Sequence, residues 1–255
     1  MTPTRIGLIV PSSNTTMETE LPEMLRRREA VTGERFTFHS SRAQLRQVSA
    51  EELARMVDDS ERCAEEVADA DVDAIAYACL VAVMSQGEGA HTDIERRLAA
   101  RASDGGRRAV PVVSSAGALV QALDALRARR IAVIAPYVKS LTGMVCGYIG
   151  GLGPEVVRSV SLEVDDNLEV GRLDPQRLIG IAEDLDTSDV DALVLSACVQ
   201  MPSLRAIQPV EDRLGLPVVS SATATTYALL LALGLSPEVP EAGSLLSGRV
   251  AAPTG

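Results

Sequence analysis

The sequence has almost no aromatic residues, with no Trp, 2 Phe and 4 Tyr in a chain of 255 residues. Since 46% of the residues are hydrophobic, a core must be built from aliphatic side chains, in one large domain or two small ones. No apolar run approaches the ~20 residues of a transmembrane helix. The first residues lead directly into a strand-like run and lack the pattern of a signal peptide. We therefore expect a cytoplasmic protein without a membrane partner.

Lysine, histidine and cysteine are also scarce. Lys139 is the one lysine among 24 basic residues, so a pyridoxal phosphate Schiff base would depend on that position. The 2 histidines, His39 and His91, have no partner at metal-ligand spacing, and no metal is expected. The 4 unclustered cysteines do not suggest a disulfide framework. The net charge of −11 disfavours nucleic acid and anionic membranes as binding partners, but it does not exclude a small anionic substrate.

Three segments occur twice in the same order. The pairs are RIGLIVP from Arg5 with RIAVIAP from Arg130, DVDAIAYAC from Asp71 with DVDALVLSAC from Asp189, and VPVVSSAG from Val110 with LPVVSSAT from Leu216. This pattern indicates an internal duplication whose unit is longer than a solenoid repeat.

Helical patterns alternate with the β-branched runs, which predicts parallel strands buried on both faces of a sheet. A capping box of Ser49 and Glu52 is expected to start the first of these helices. Each half is therefore interpreted as an open α/β sheet of about four strands. The predicted helices cover 50–69, 117–128, 174–185 and 223–233, and the second strand of each half is placed at 34–41 and 155–164.

Ligands of such sheets bind beyond the carboxyl ends of the strands. If the two halves face each other, Cys79 and Cys198 occupy equivalent positions on opposite walls of one cleft. The repeat slips there, because Asp73 precedes Cys79 by six residues while Asp191 precedes Cys198 by seven. The residues at the predicted strand ends are Pro11–Asn14, Cys79, Ser114–Ser115, Pro136–Tyr137, Cys198 and Ser220–Ser221.

A single cysteine at a strand end is usually a small buried apolar residue. Repetition of the cysteine at the ligand-binding edge favours a functional role for Cys79 and Cys198. The turn or helix start that follows each cysteine is expected to lower the thiol pKa. Cys63 and Cys146 lie within helical patterns and are interpreted as core residues. Asn14 is either a helix cap or a ligand-binding residue, and these roles are compatible because helix N-termini attract carboxylates.

Two facing cysteines on a duplicated α/β unit resemble the cofactor-independent aspartate/glutamate racemase superfamily. The segments GLIVPSSNTTMETE, YACLVAVM and LSACVQMPSL are similar to those of the maleate cis-trans isomerases, and the resemblance covers nearly the whole chain. It implies two pseudo-symmetric α/β lobes with the active site between them. The expected division is 1–114 plus 221–255 for the first lobe and 115–220 for the second, because the last helix returns to the first half. A homodimer is also implied.

The resemblance makes Cys79 the nucleophile and Cys198 the proton donor and acceptor. It places Asn14, Tyr137 and Asn167 at the carboxylates of a small dicarboxylate. Backbone N–H groups near Leu80, Val81 and Val199 are added as further donors, as in an oxyanion hole. Maleate would become fumarate through a succinyl-cysteine intermediate, and no cofactor is expected.

Two other functions share these residues. A two-cysteine racemase or epimerase of a small carboxylic acid would use both thiols for proton exchange, although an Asp-Ser pair typical of amino-acid racemases is replaced here by Pro11–Asn14. Arylmalonate decarboxylases keep one of the two cysteines, so the pair argues against that chemistry. A binding protein for small acids would leave the paired cysteines unexplained.

Overall fold

The protein, seen here as a computed structural model that describes residues 2–250, contains two parallel β-sheets of four strands each. The strands are β1 (Thr4–Pro11), β2 (Phe36–Ala43), β3 (Ala74–Tyr77), β4 (Val112–Ser114), β5 (Arg130–Ala135), β6 (Glu155–Ser161), β7 (Ala192–Ser196) and β8 (Val218–Ser220). The helices are α1 (Met17–Thr32), α2 (Ala50–Ala68), α3 (Leu80–Met84), α4 (Ala90–Ala102), α5 (Ser115–Ala125), α6 (Lys139–Gly151), α7 (Asn167–Val170), α8 (Gln176–Glu183), α9 (Leu204–Leu214) and α10 (Ser221–Ala232).

The two sheets have the same topology. Their strand orders are β2-β1-β3-β4 and β6-β5-β7-β8, and every strand pair is parallel. This confirms the predicted α/β fold with two pseudo-symmetric sheets. In each sheet the chain order reverses beside the first strand, and ligands of open α/β sheets bind at such a switch point. The loops after β1, β3, β5 and β7 therefore form the edge where a site is expected.

The inner strands are apolar because they are covered on both faces. All residues of β3 and β7 are buried, whereas β2 and β6 lie at sheet edges and are only partly buried. The predicted positions of both edge strands are close to the observed ones. No helix within residues 2–250 is long and apolar enough to cross a membrane.

Side chains at equivalent positions of the two halves support the same turns. Ser114 accepts a hydrogen bond from the Gly117 N–H at 3.0 Å and thereby caps α5, while Ser220 caps α10 through the Thr223 N–H at 3.2 Å. The predicted capping box at the start of α2 is only half formed. The Ser49 side chain accepts from the Glu52 N–H, but the Glu52 carboxylate accepts from two N–H groups of the preceding loop instead.

A bulge at Leu195 explains the one-residue slip of the repeat. In the first sheet, Tyr77 pairs with Ser114 in regular register. In the second sheet, the register shifts between Val194 and Ser196, so Leu195 has no partner on β8. When Leu195 is left out of the alignment of the two halves, Ser196 aligns with Tyr77, and Cys79 and Cys198 occupy equivalent positions two residues later. The extra residue is absorbed inside the strand, as in other β-bulges.

The last helix, α10, packs against α1, β3 and β4 of the first sheet. Its all-round burial follows from a sequence that is apolar or small on every side. The division into 1–114 plus 221–255 and 115–220 remains a prediction, and residues 251–255 of the first part lie outside the described residues.

Candidate active site

Four loops at the facing sheet edges bring the predicted residues together. Asn14 follows β1, Cys79 follows β3, Tyr137 follows β5 and Cys198 follows β7. The Asn14 Nδ2 donates to the carbonyl oxygen of Val199 at 3.1 Å, which joins the two halves directly. A charge on Cys198 raises the pKa of Cys79, and a charge on either thiol raises the pKa of Tyr137.

Cys79 is buried, with 2% of its surface exposed, and immediately precedes α3. Burial raises the pKa of the Cys79 thiol to about 12, with a smaller upward contribution from the charge of Cys198 and an opposing hydrogen bond from the Ala82 N–H. Leu80 and Val81 are the first residues of α3. The first N–H groups of a helix have no acceptor inside that helix, so these two are free to serve as donors at the site.

Cys198 is also buried, with 4% exposure. Burial raises the pKa of its thiol, but a hydrogen bond with the Tyr137 hydroxyl and the N–H groups of Gln200 and Met201 all lower it. The Gln200 N–H lies 3.3 Å from the Cys198 sulfur. Thus three donors support a thiolate at Cys198, while one supports a thiolate at Cys79.

The expectation that the turn or helix start after each cysteine lowers the thiol pKa is wrong, because the net shift of the pKa is upward at both thiols. The backbone donors are present and act in the expected direction, but burial outweighs them at both Cys79 and Cys198. Because their charges repel each other, the pair holds at most one negative charge at neutral pH.

Asn14 supports the start of a helix, and its role in ligand binding remains a prediction. It is fully buried, and its Oδ1 accepts hydrogen bonds from the N–H groups of Thr16 and Met17, at 3.1 and 2.9 Å, at the start of α1. Its Nδ2 donates across the interface to Val199 and retains a second hydrogen that can meet a ligand. Asn14 therefore caps a helix and faces the second half with the same amide.

Tyr137 is 6% exposed. Burial raises its pKa well above the usual range, and the neighbouring Cys198 raises it further, so its hydroxyl stays protonated and can donate. Asn167 begins α7 and is half-buried. Its Nδ2 donates to the Ser13 Oγ at 2.7 Å, which holds it beside the loop that carries Asn14.

Gln200 was missed by the sequence reasoning. Its side chain joins the loop of Asn14 to the start of α7, through bonds to Thr15 at 2.9 Å and Asn167 at 3.0 Å. A signal was present in the repeat, because the equivalent position two residues after Cys79 holds the apolar Val81. A polar residue that replaces an apolar one in a buried repeat needs partners, and this one has them at the site.

Glu20 of α1 holds the far end of the loop that starts at Cys198. Its carboxylate accepts from the N–H groups of Ser203 and Leu204, at 2.6 and 2.7 Å, where α9 begins. Burial raises the Glu20 pKa, and those backbone bonds lower it in part. Among the other predicted strand-end residues, Ser12 and Ser13 donate their hydroxyls to the Leu45 carbonyl oxygen. Ser115 accepts from Thr225 within the α5–α10 contact.

Of the two other cysteines, Cys63 of α2 belongs to the core as expected, whereas Cys146 of α6 is only partly buried and packs against the core. The groups that bond Cys79 and Cys198 are a hydroxyl and backbone N–H groups, and the neutral amides of Asn14 and Asn167 lie on neighbouring loops. Such donors can bind carboxylates and stabilise negative charge as it develops on them.

Comparisons with known proteins agree with this geometry. A family model described as arylmalonate decarboxylase matches residues 6–246. A maleate isomerase of Geobacillus stearothermophilus is 58% identical over 246 residues, which cover 96% of this chain and 98% of that protein.

Two solved structures are similar over nearly their full lengths. The maleate isomerase of Pseudomonas putida S16, a cysteine-to-alanine variant with maleate, has a TM-score of 0.95 at 52% identity and covers 97% of this chain and 99% of that one. A cysteine-to-serine variant of the Nocardia farcinica maleate cis-trans isomerase, with a covalently bound succinylcysteine intermediate, has a TM-score of 0.92 at 46% identity and covers 96% and 99%.

Proposed function

This chain belongs to the maleate isomerases, within the family described as arylmalonate decarboxylase, and we propose that Cys79 and Cys198 carry its reaction. The enzyme converts maleate into fumarate through a succinyl-cysteine intermediate. The observation that carries the assignment is the unequal support of two adjacent buried thiols. Burial raises the pKa of both thiols, but three donors face Cys198 and one faces Cys79, so Cys198 is the easier of the two to deprotonate.

The first step forms a bond between sulfur and C2 of maleate. Cys198, as the better-supported thiolate, takes the proton of Cys79 while the Cys79 sulfur attacks C2. The electron pair of the double bond moves to C3 and its carboxylate. Sulfur suits this addition because thiolates are strong nucleophiles at modest basicity.

The negative charge on that carboxylate is stabilised by neutral donors. Asn14 supplies its second Nδ2 hydrogen, Tyr137 its hydroxyl and Asn167 its amide, and the Leu80 and Val81 N–H groups point out of the start of α3. The Val199 N–H is assigned to the same set. Fixed dipoles of this kind act strongly in a site that excludes water.

The new Cys198 thiol then gives its proton to C3, which completes the succinyl adduct. The bond between C2 and C3 is now single, and half a turn about it places the carboxylates on opposite sides. Cys198, again a thiolate, takes a proton from C3. The electron pair restores the double bond, and the Cys79 sulfur leaves as a thiolate that takes back the proton held by Cys198, so that fumarate is released and the starting protonation of both thiols is restored.

The direct test is proton NMR of maleate with purified protein and no added cofactor. Fumarate signals should appear with wild type, and Cys79→Ala should abolish them, whereas Cys146→Ala should retain activity as the matched control. Full activity of a folded Cys79→Ala protein would remove this residue from the mechanism.

Intact-protein mass spectrometry separates the isomerase from the racemase alternative. In the Cys198→Ser protein, solvent can still take the proton of Cys79 and protonate C3, whereas removal of the C3 proton is slowed. The protein should therefore gain one substrate mass after incubation with maleate, and peptide mapping should place it on Cys79. A racemase exchanges protons only and forms no adduct. An adduct on Cys198 of wild type, with Cys79 unmodified, would reverse the two roles.

A cytoplasmic homodimer is also proposed, on the resemblance and the sequence pattern alone. Light scattering during size-exclusion chromatography should give twice the mass of one chain, 26.9 kDa. A monomeric mass with full activity would contradict the dimer.

A further inference from the structure

The Gln200 side chain is a primary amide buried at the meeting point of three segments, with only 3% of the residue exposed. Its Oε1 accepts from the Thr15 N–H at 2.9 Å. Its Nε2 donates to the carbonyl oxygens of Ser13 at 3.1 Å and Asn167 at 3.0 Å. Both amide hydrogens are used, so the position and the orientation of the group are fixed.

The main chain of Gln200 extends these contacts to the reactive thiol. Its N–H donates to the Cys198 sulfur at 3.3 Å, and its carbonyl oxygen accepts from the Thr16 hydroxyl at 2.7 Å. One residue therefore touches the proton-transfer thiol, the loop that contains Asn14 and the start of the helix that contains Asn167.

We propose that Gln200 is a positioning residue, which fixes the Cys198 sulfur relative to the carboxylate-binding amides of Asn14 and Asn167. This inference rests on the proposed function, because it assigns proton transfer at C3 to Cys198. The three segments come from both halves of the chain and lie far apart in sequence. Their relative position must be set by contacts such as this amide.

The Gln200 side-chain amide packs directly against the backbone of Gly171. A Cβ added at Gly171 would lie 2.7 Å from the Gln200 Nε2 and 3.0 Å from the Thr15 hydroxyl oxygen. The backbone of Gly171 has φ −67°, so glycine is not needed there for conformation. Glycine at this position leaves the room that the Gln200 side chain occupies.

The test begins with Gln200→Met, which has a similar length and removes the three side-chain hydrogen bonds but keeps the backbone N–H on Cys198. We expect kcat to fall on the order of 10²-fold, the effect of a misplacement of about 1 Å. Because proton removal from C3 is slowed, the succinyl adduct on Cys79 should accumulate in the intact-mass spectrum, as it should in Cys198→Ser.

Gln200→Glu separates hydrogen bonding from space filling. This side chain has nearly the shape of glutamine, but an oxygen would face the carbonyl oxygens of Ser13 and Asn167. At pH 8 it should be less active than Gln200→Met. If Gln200 only filled space, Gln200→Met would keep normal kcat and show no adduct.

Gln208→Met is the matched control. The Gln208 amide also bonds a side chain, Asp212 at 2.8 Å, and a backbone N–H, Gly243 at 3.2 Å, but it contacts none of the three site segments. It should lose thermal stability without accumulating adduct. If Gln200→Met does not fold, Gly171→Ala displaces the same amide and should give the same adduct with a smaller loss of kcat.

The outcomes separate the two proposals. If wild type does not isomerise maleate, the proposed function is wrong, whatever the variants do. If wild type is active and Gln200→Met stays within twofold in kcat and shows no adduct, the positioning role is overturned. The same conclusion follows if its loss of activity only equals that of Gln208→Met.

Discussion

Replacement of Asn14 by aspartate should remove one hydrogen-bond donor from the site while leaving the helix cap in place. The Oδ1 atom that accepts from Thr16 and Met17 is retained, but Nδ2, 3.1 Å from the Val199 carbonyl oxygen, becomes an acceptor. The introduced carboxylate oxygen and the Val199 carbonyl oxygen would then be two buried acceptors in contact, and the carboxylate would place a negative charge near a dianionic substrate.

The expected loss is large because these effects act together. Loss of one donor to developing negative charge lowers kcat on the order of 10²–10³-fold. Two unit charges about 4 Å apart repel by about 4 kcal/mol at an effective dielectric constant near 20, which also weakens binding of the dianion. We therefore expect Asn14→Asp to lower kcat/KM at pH 8 by ~10³-fold or more. Thermal stability should fall by more than on Asn14→Ala, which loses the cap at about 1 kcal/mol, because a buried charge opposite a carbonyl oxygen is unpaired.

The pH dependence is the most specific part of this prediction. When the introduced carboxyl group is protonated, its O–H can donate to Val199 as the amide did. The activity of Asn14→Asp relative to wild type should therefore rise as the pH falls from 8.5 to 5.5, measured by proton NMR of maleate and fumarate at saturating and low substrate. A ratio within threefold of one at pH 8, with no dependence on pH, would show that Asn14 acts only as a helix cap.

Asn167→Asp is the matched comparison. The Asn167 Nδ2 donates to a hydroxyl, the Ser13 Oγ at 2.7 Å, and a hydroxyl can turn and donate to a carboxylate instead. The substitution should therefore cause a smaller loss of kcat/KM than Asn14→Asp. Equal losses would show that the partner atoms do not control the effect.

Two further predictions concern stability and pH. The pKa of Cys79 is about 12 in the folded protein, against an ordinary 9.0. Its contribution to the free energy of unfolding is therefore present below pH 9 and is lost as the pH rises towards 12, by an amount on the order of 4 kcal/mol. In urea unfolding between pH 8 and 10.5, Cys79→Ala should lose less stability with rising pH than wild type, and parallel curves would contradict this. The pKa of Glu20 is raised in the folded protein, so its stabilising contribution is present below its unfolded pKa and disappears as the pH rises through the folded value. Because the Oε1 of glutamine can still accept from Ser203 and Leu204, Glu20→Gln should have a higher melting temperature than wild type at pH 7.5, with a smaller difference at pH 5. A melting temperature below that of wild type at both pH values would refute this.

The fold could be predicted because its signals are local and occur twice. The apolar runs, the helical patterns between them and the repeated Asp, Cys and Ser-Ser positions specify two equivalent parallel sheets. The rule for ligands at strand ends then brings Cys79 and Cys198 to one edge. The one-residue difference between the two repeats is visible in the sequence. The structure accommodates it as a bulge at Leu195, which depends on the pairing of β7 with β8.

The electrostatics of the site could not be predicted in the same way. The helix start after Cys79 is a local feature and was expected to lower the thiol pKa, whereas burial depends on how all the neighbouring elements close over the thiol. The partners of Gln200 come from segments remote in sequence. A buried amide can be suspected from its apolar surroundings, but its acceptors are defined only by the tertiary structure.

The bulge at Leu195 bears on how an enzyme with two unlike thiols can descend from a duplicated gene. Duplication first produces two identical strand ends, and therefore two equivalent cysteines, whereas the reaction requires one nucleophile and one proton carrier. In a pleated strand, one inserted residue turns every later side chain to the opposite face. Here the extra residue is confined to Leu195, which is fully buried, so Ser196 keeps the place that Tyr77 has in the other half. An ancestor could thus acquire an insertion in one copy without losing the alignment of its two sulfur atoms, and the loop beyond was free to diverge from Val81 to Gln200.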